Sequence, residues 1–171
     1  EWCGEEPAWC LGLKYLPIRR PICRAAEEST SFRETPDRAV VTMGGSDIGG
    51  TTPAVCQAFD GAGVTIDVII GPGFENHGEI ERAIAETDAE FNRFEDPTDF
   101  AGLIARADFA VSAAGSTVYE LLAVGTPTIA IPQAANQEPI ARALADRDAI
   151  DHLEPEALDT LPDRIEELLS D

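Results

Sequence analysis

The sequence predicts an α/β fold in which helices cover both faces of a doubly wound parallel sheet of about six strands. From Arg38 onward, apolar segments of strand length alternate with segments of helical periodicity, and the connections between them are short. This alternation is typical of parallel strands that are buried on both sides. In addition, two turns rich in glycine and serine each follow an apolar strand and begin a helix.

The predicted strands lie at 39–43, 64–70, 90–94, 108–112, 127–131 and, with a weaker pattern, 149–153. Helical patterns lie between them at 51–61, 77–87, 99–107, 116–125 and 138–147, and the last one ends the chain at 155–169. Pro53 near the start of the first helix and Gly125 at the end of the fourth agree with these boundaries. In the usual order of such a sheet, 3-2-1-4-5-6, the first and fourth strands are neighbours, so both glycine turns fall at one crevice.

Residues 1–36 differ in composition from the rest of the chain. They contain both tryptophans, three of the four cysteines and a proline-rich segment at 16–22. We interpret 1–36 as an interdomain linker or docking segment and 37–171 as one Rossmann-like domain with a full core. The chain begins at Glu1 rather than at methionine, which favours a piece of a longer protein.

The composition is strongly acidic. Among 171 residues there are 32 acidic and 12 basic side chains, for a formal net charge of −20, and Lys14 is the single lysine. A disordered acidic protein is disfavoured, because 44% of the residues are hydrophobic and regular apolar runs persist. Nucleic-acid binding is not expected without a basic surface. No stretch is long and apolar enough to span a membrane, so we expect a cytoplasmic protein.

We interpret the acidic surface as halophilic, because such surfaces are typical of proteins from organisms that accumulate salt. At ~1 M salt the Debye length is about 3 Å, so repulsion between surface carboxylates is screened. At low salt the same repulsion destabilises the fold. We therefore expect the melting temperature to rise steeply with KCl concentration in a thermal unfolding series. A flat series would contradict the halophilic interpretation.

The two glycine turns have the residues of an anion-binding site. The first contains Gly44, Gly45, Ser46 and Asp47, and the second contains Gly115, Ser116 and Thr117, with Glu120 further along the helix. Unpaired N–H groups and the positive end of the helix dipole meet at such a helix start, and glycine lets a phosphate approach the backbone. The pair of turns predicts a ligand with a phosphate at one end and a hydroxylated sugar near Glu120.

Glu120 and two further loops are candidates for the rest of the ligand. The Glu120 carboxylate can accept hydrogen bonds from the vicinal hydroxyls of a ribose; the alternative is a solvated glutamate near a helix start. The amides of Asn136 and Gln137 can bind sugar hydroxyls, or Asn136 can cap the next helix. The backbone at Phe94 and Glu95 can face a base, or form only a turn.

Several enzyme classes lack support. The first turn does not have GxGxxG spacing, and no P-loop is present, so the support for NAD binding is weak and a P-loop ATPase is not expected. A plain strand-to-helix turn, in which Asp47 caps the helix, is the structural alternative. No catalytic triad order, HExxH motif or zinc-type cysteine spacing is visible. His77 and His152 are expected at surface or packing positions. We therefore expect no catalytic base, metal or cofactor in this chain.

The second turn and the sequence after it resemble a known family. Residues 112–127, SAAGSTVYELLAVGTP, and the segment that continues to Asn136 and Gln137 are similar to the nucleotide-binding half of GT-B proteins. The resemblance is greatest to the UDP-sugar hydrolases of pseudaminic acid synthesis and the related spore-coat polysaccharide proteins. It is more distant to the peptidoglycan UDP-N-acetylglucosamine transferase of glycosyltransferase family 28. Residues 43–47 are similar to the interdomain glycine loop of these proteins, and residues 11–19 to their linker.

The resemblance implies roles for the candidate residues. Glu120 would hold the ribose hydroxyls, Ser116 and Thr117 the diphosphate, the backbone of Phe94 and Glu95 the uracil, Gly45 and Ser46 the sugar-diphosphate side, and Asn136 and Gln137 the sugar. The catalytic histidine of the hydrolases lies in an N-terminal GT-B domain, which would act as the partner of this chain. Gly49 and Gly50 depart from the family pattern, in which bulkier polar residues are expected.

The implied function is binding of a UDP-sugar as the C-terminal half of a nucleotide-sugar hydrolase in surface polysaccharide or nonulosonate biosynthesis. The first alternative is the same half of a family 28-like UDP-sugar glycosyltransferase. Two further alternatives are a non-catalytic nucleotide-binding module, which docks a partner through residues 1–36, and a dinucleotide oxidoreductase domain.

Overall fold

The strands form one parallel sheet in the part of the chain that the structure describes. A computed structural model describes residues 15–28, 33 and 35–170. The strands are β1 (Arg38–Thr42), β2 (Thr65–Ile70), β3 (Glu90–Glu95), β4 (Phe109–Ala113), β5 (Thr128–Ile131) and β6 (Asp151–His152). Their order is β3-β2-β1-β4-β5-β6, and each neighbouring pair is parallel. The predicted fold class and strand order are confirmed.

Helices cover both faces of this sheet. They are α1 (Arg20–Glu28), α2 (Thr52–Gln57), α3 (His77–Ala85), α4 (Phe100–Ala105), α5 (Ser116–Val124), α6 (Glu138–Ala145) and α7 (Leu161–Ser170), with a 3₁₀ helix at Pro155–Thr160. Apolar residues of α2, α3 and α7 pack on one face, and those of α1, α4, α5 and α6 on the other. None of the helices in these described segments is long and apolar enough to cross a bilayer.

The central strands are apolar on both sides, as the sequence pattern predicts. Every residue of β4 and β5 is buried, and only the first residue of β1 and of β2 is partly exposed. Alternate residues belong to opposite faces: Val41 packs towards α2 and α3, and Val40 packs towards α1 and α4. This double burial explains why the strands read as continuous apolar runs rather than as alternating patterns.

The structure differs from the sequence prediction in the segment before β1. The composition of 1–36 predicts an interdomain linker or docking segment with no helix assigned to it, but Arg20–Glu28 form α1. Ile22 is 1% exposed and packs in the same apolar cluster as Leu121 of α5 and Ile104 of α4. Residues 1–14, with Cys3 and Cys10, lie outside the described residues. The sequence does not predict this helix, because the apolar pattern around Ile22 is too short to indicate a helix within a polar segment.

A fully buried carboxylate connects three strands. Asp67 of β2 is 0% exposed, and its Oδ1 accepts hydrogen bonds from Arg38 Nη1 of β1 and Asn92 Nδ2 of β3, both at 3.0 Å. Its Oδ2 accepts a hydrogen bond from Arg106 Nη2, at the end of α4, at 2.7 Å. A buried charge is tolerated only with this degree of pairing and hydrogen bonding.

Two cysteines lie within the described residues, and both are free. Cys56 in α2 is completely buried, as expected for a small core residue, whereas Cys23 in α1 is exposed. Burial, and to a smaller extent the negative charge of Asp47, raises the pKa of the Cys56 thiol to about 12. The thiol is therefore neutral at physiological pH and acts as an apolar side chain.

Candidate functional site

The two glycine turns meet at the carboxyl ends of adjacent strands. β1 and β4 pair in parallel, with Thr42 opposite Ser112, so the turn after each strand emerges at the same edge of the sheet. A cavity of about 270 Å³ lies between these turns. Its wall includes residues of both turns, the end of β2, the start of α4 and the segment before α1: Gly44, Gly45, Thr117, Gly71, Phe100 and Arg19.

The first turn packs directly on the turn that follows β2. Gly44 has φ +73°, a left-handed conformation that favours glycine. The Gly73 N–H donates a hydrogen bond to the Gly45 carbonyl at 2.8 Å. A Cβ atom at Gly71 would lie 2.6 Å from the carbonyl oxygens of Gly44 and Gly45. Gly71 is therefore glycine because two backbone segments approach each other closely here.

Asp47 holds this turn against α2. Its Oδ1 accepts a hydrogen bond from the Thr51 N–H at 3.0 Å, and its Oδ2 accepts bonds from the Thr52 N–H at 3.2 Å and Asn76 Nδ2 at 2.7 Å. Asp47 is 5% exposed and has φ +42°. These contacts support the alternative in which Asp47 caps the helix, because its carboxylate accepts hydrogen bonds from N–H groups at the start of α2. Ser46, next to it, is exposed and lies close to Gly73.

The second turn leaves the start of α5 open to a ligand. Gly115 is the N-cap residue, in an extended conformation, and no side chain caps the helix. The Ser116 side chain is exposed, and Thr117 contributes to the cavity wall. The N–H groups of the first helical turn and the positive end of the dipole therefore face this edge of the sheet. This arrangement suits an anion.

Glu120 is paired with a residue that the sequence analysis did not identify. Arg19 Nε and Nη2 donate hydrogen bonds to the two Glu120 carboxylate oxygens at 2.6 and 2.8 Å. The Glu120 side chain is 13% exposed and that of Arg19 is 60% exposed. The hydrogen bond to Glu120 is the largest cause of a raised pKa for Arg19, so its guanidinium stays charged. Arg19 also lies over the ring of Phe100, 5.2 Å from the ring centroid.

The segment after β3 reaches the cavity at residues that follow Phe94 and Glu95. Asp96 and Pro97, which follow β3, contribute to the cavity wall. The ring of Phe94 packs against the guanidinium of Arg106, 5.6 Å from the ring centroid. The Glu95 carboxylate accepts a hydrogen bond from Arg93 at 2.5 Å. These contacts engage the two side chains, and a contact between the backbone of Phe94 and Glu95 and a base stays a prediction.

The loop after β5 approaches the second glycine turn and the start of α2. Gln137 is the N-cap residue of α6, so Asn136 does not cap that helix, and Asn136 is exposed. A Cβ atom at Gly115 would lie 3.6 Å from Gln137 Nε2. On the other side, the Thr51 hydroxyl donates a hydrogen bond to Gln133 Oε1 at 3.0 Å.

The histidines lie away from this cavity. Nδ1 of His77 is 2.9 Å from Arg93 Nη2. Nε2 of His152 lies with carboxylate oxygens of Glu138 and Glu154 in a group whose atoms are within 4.8 Å of one another. Arg142 already ion-pairs with both of these carboxylates, at 3.4 and 3.6 Å, so this group is a compensated ion-pair network rather than a vacant cation site.

A second opening, of about 460 Å³, lies at the opposite edge of the sheet, at the amino ends of β1, β2 and β3. Its wall includes Asp37, Asp88 and Glu90. In open parallel sheets, ligands bind at the carboxyl ends of the strands, where helix N-termini converge. The cavity between the glycine turns is therefore the candidate site, although it is the smaller of the two.

The sequence model of the glycosyltransferase family 28 C-terminal domain matches residues 54–171. The chain is 29% identical over 142 residues to the spore coat polysaccharide biosynthesis protein SpsG of Bacillus subtilis strain 168, which covers 81% of this chain and 41% of that protein. The chain thus spans less than half the length of this curated relative.

Solved glycosyltransferases share the fold. The MurG structure from Acinetobacter baumannii matches with a TM-score of 0.64 and 18% identity, covering 82% of this chain and 45% of that one. Spinosyn rhamnosyltransferase SpnG, solved with thymidine diphosphate, matches with a TM-score of 0.62 and 23% identity, covering 84% of this chain and 41% of that one. The calicheamicin glycosyltransferase CalG4 matches with a TM-score of 0.63 and 18% identity, and the match covers 81% of this chain and 35% of CalG4. Because the family model matches more than half of its residues, this chain belongs to the glycosyltransferase family 28 C-terminal domains.

Proposed function

We propose that this chain is the nucleotide-sugar-binding domain of a glycosyltransferase and that its ligand is a UDP-sugar. The observation that carries the proposal is the meeting of two glycine turns at one cavity, with the Glu120 carboxylate beside it in α5. One turn supplies an uncapped helix start for the diphosphate, and the carboxylate supplies acceptors for ribose hydroxyls.

The electrostatics of the chain support this mode of phosphate binding. With a net charge of −20, the protein offers few cations to a dianionic ligand. The start of α5 supplies backbone N–H groups and a helix dipole, and Arg19 supplies one guanidinium on the cavity wall. During sugar transfer, negative charge grows on the departing nucleoside diphosphate. The same N–H groups are fixed dipoles that would stabilise it.

We infer that a second domain completes the site. A cavity of about 270 Å³ is smaller than the roughly 300–1,000 Å³ of pockets that enclose a small-molecule ligand. The chain also spans under half of SpsG and of the solved glycosyltransferases that it resembles. The second domain would supply the nucleophile and any catalytic base.

Transfer is favoured over hydrolysis as the reaction of the complete protein. The matching family is a glycosyltransferase family, which supports an acceptor hydroxyl rather than water as the nucleophile. The name of the SpsG relative supports a role in polysaccharide biosynthesis. Hydrolysis of the UDP-sugar remains the second candidate, because the resemblance at 112–127 extends to hydrolases. A histidine beside the first glycine loop of the N-terminal domain would favour hydrolysis.

Calorimetric titrations at high KCl concentration, with UDP and NAD as separate ligands, test the proposed function. We expect UDP to bind and NAD not to bind. In NMR spectra, UDP should shift the backbone amide resonances of Gly45, Ser116 and Thr117, which lie in both turns. NAD binding without UDP binding, or UDP addition that leaves these resonances unmoved, would contradict the proposal.

A further inference from the structure

Gln133 connects the start of α2 to the loop that follows β5. It lies just after β5 and is partly buried. Its side-chain Oε1 accepts a hydrogen bond from the Thr51 hydroxyl at 3.0 Å, and its Nε2 donates one to the Ile131 carbonyl at 3.3 Å. Both ends of this amide are therefore bonded, and the side chain has a defined orientation between the two segments.

The same residue orients Gln137 through its backbone. The Gln133 N–H donates a hydrogen bond to Gln137 Oε1 at 2.9 Å. With its oxygen bonded in this way, the Gln137 amide directs its nitrogen towards the second glycine turn. There a Cβ atom on Gly115 would lie 3.6 Å from Nε2. Gln137 thus presents two N–H donors beside the start of α5, where an acceptor oxygen of a ligand can receive them.

The absence of a side chain at Gly49 leaves room for the Gln133 amide. A Cβ atom on Gly49 would lie 2.4 Å from Gln133 Oε1, much closer than any van der Waals contact. Gly49 has no left-handed conformation, unlike Gly50 at φ +62°, so backbone freedom is not the reason for glycine at position 49. A side chain at position 49 and the observed orientation of the Gln133 amide are therefore incompatible.

We propose that Gln133 is a positioning residue for the sugar of the bound nucleotide sugar, and that a side chain at Gly49 would displace its amide. This inference rests on the proposed function. The Gln133 side chain holds the β5–α6 loop to the start of α2. Its backbone N–H, held in place in this way, orients the Gln137 amide donors towards a sugar hydroxyl next to Gly115. The nucleoside and the diphosphate contact other elements, so the effect of Gln133 should be confined to the sugar.

Two substitutions disturb this arrangement from opposite sides. Gln133→Ala removes the bridging amide, and Gly49→Ala displaces it, because the new methyl group occupies the place of Gln133 Oε1. Each should weaken binding of UDP-N-acetylglucosamine or UDP-glucose, measured by calorimetry, by about fivefold, the loss expected for one net hydrogen bond. UDP affinity should stay within about twofold. The double variant should bind no more weakly than either single variant, since both remove the same contact.

Matched variants and a spectroscopic readout separate positioning from loss of stability. Gln57→Ala on the exposed side of α2 and Gly78→Ala in α3, where an added Cβ meets nothing within 4 Å, should leave both affinities unchanged. The Gln137 side-chain NH₂ resonances should shift when UDP-N-acetylglucosamine binds the wild-type protein. The shift should be smaller in Gln133→Ala, because alanine keeps the backbone N–H that bonds Gln137 Oε1 but lacks the side chain that holds this backbone to Thr51.

The possible failures are distinct. If the wild-type protein does not bind UDP, the proposed function fails. If it binds UDP but Gln133→Ala and Gly49→Ala leave the ratio of UDP-sugar to UDP affinity unchanged, the positioning role of Gln133 is overturned. The positioning role is also overturned if the wild-type protein binds UDP-N-acetylglucosamine and UDP-glucose no more tightly than UDP. Equal losses for UDP and UDP-sugars would also overturn it, because they indicate a general structural effect.

Discussion

Replacement of Glu120 by alanine should reduce UDP affinity by about 1–3 kcal/mol, the value of charge-assisted hydrogen bonds to ribose hydroxyls. Since about 1.4 kcal/mol is a factor of ten, calorimetry should measure a loss between about fivefold and 150-fold. The fold should persist, because the ion pair lost with Glu120 involves an Arg19 side chain that is 60% exposed. Pairs of this kind contribute only about 0–1 kcal/mol.

The Arg19–Glu120 pair makes a control necessary, because the carboxylate is both a proposed ribose ligand and the anchor of the segment before α1. Arg19→Ala removes the anchor but keeps the carboxylate. If Glu120 binds ribose, wild-type protein and Arg19→Ala should both prefer UDP to 2′-deoxy-UDP, whereas Glu120→Ala should lose this preference. If Glu120 serves only as an anchor, neither substitution will alter that preference.

Much of the fold was predictable because the central strands carry their own signal. Strands such as β1 and β4 are buried on both sides and therefore appear in the sequence as continuous apolar runs. They can be identified without knowledge of distant contacts. Once the alternation with helices is recognised, the strand order places the turns at Gly44 and Gly115 side by side. The convergence of the two turns therefore followed from topology, and the structure confirms that residues of both line one cavity.

The contacts that shape the site were not predictable in this way. Arg19 is 101 positions from Glu120, and Gln133 is 82 positions from Thr51, so no local periodicity relates either pair. Asp47 offered two interpretations, as ligand contact or as helix cap, because an aspartate before a helix suits both. Only the placement of Asn76 and Thr52 around its carboxylate shows how it is engaged.

The residues around the cavity divide into those that build it and those left open to a ligand. Asp47 and Gly71 are engaged with other parts of the chain and set the shape of the first turn, and Gln133 holds the loop after β5 to Thr51 at the start of α2. The start of α5 has no side-chain cap, and the Gln137 amide nitrogen lies beside it at Gly115. In the proposed site, the part that this chain supplies is therefore formed before the ligand binds, which lowers the entropic cost of binding.

The largest effect on stability is expected at Asp67, which is far from the proposed ligand contacts. Asp67→Ala should lower the free energy of unfolding by about 3 kcal/mol, the lower end of the range for removing one partner of a buried ion pair. The lower end applies because Arg106 is 46% exposed and can return to water, whereas Arg38 is only 27% exposed and would stay poorly solvated. Urea unfolding at constant high KCl concentration measures this change.

Glu167→Ala is the matched control for Asp67→Ala, because Glu167 is an exposed carboxylate on α7 and its removal changes the net charge by the same amount. We expect the control to change the free energy of unfolding by less than about 0.5 kcal/mol. Asp67→Asn should lie between the two, since its amide can still accept one hydrogen bond from Arg38 or Arg106 but carries no charge. If Asp67→Ala were as stable as the control, the hydrogen bonds that join β1, β2 and β3 through this carboxylate would contribute nothing net, and apolar packing alone would hold these strands together.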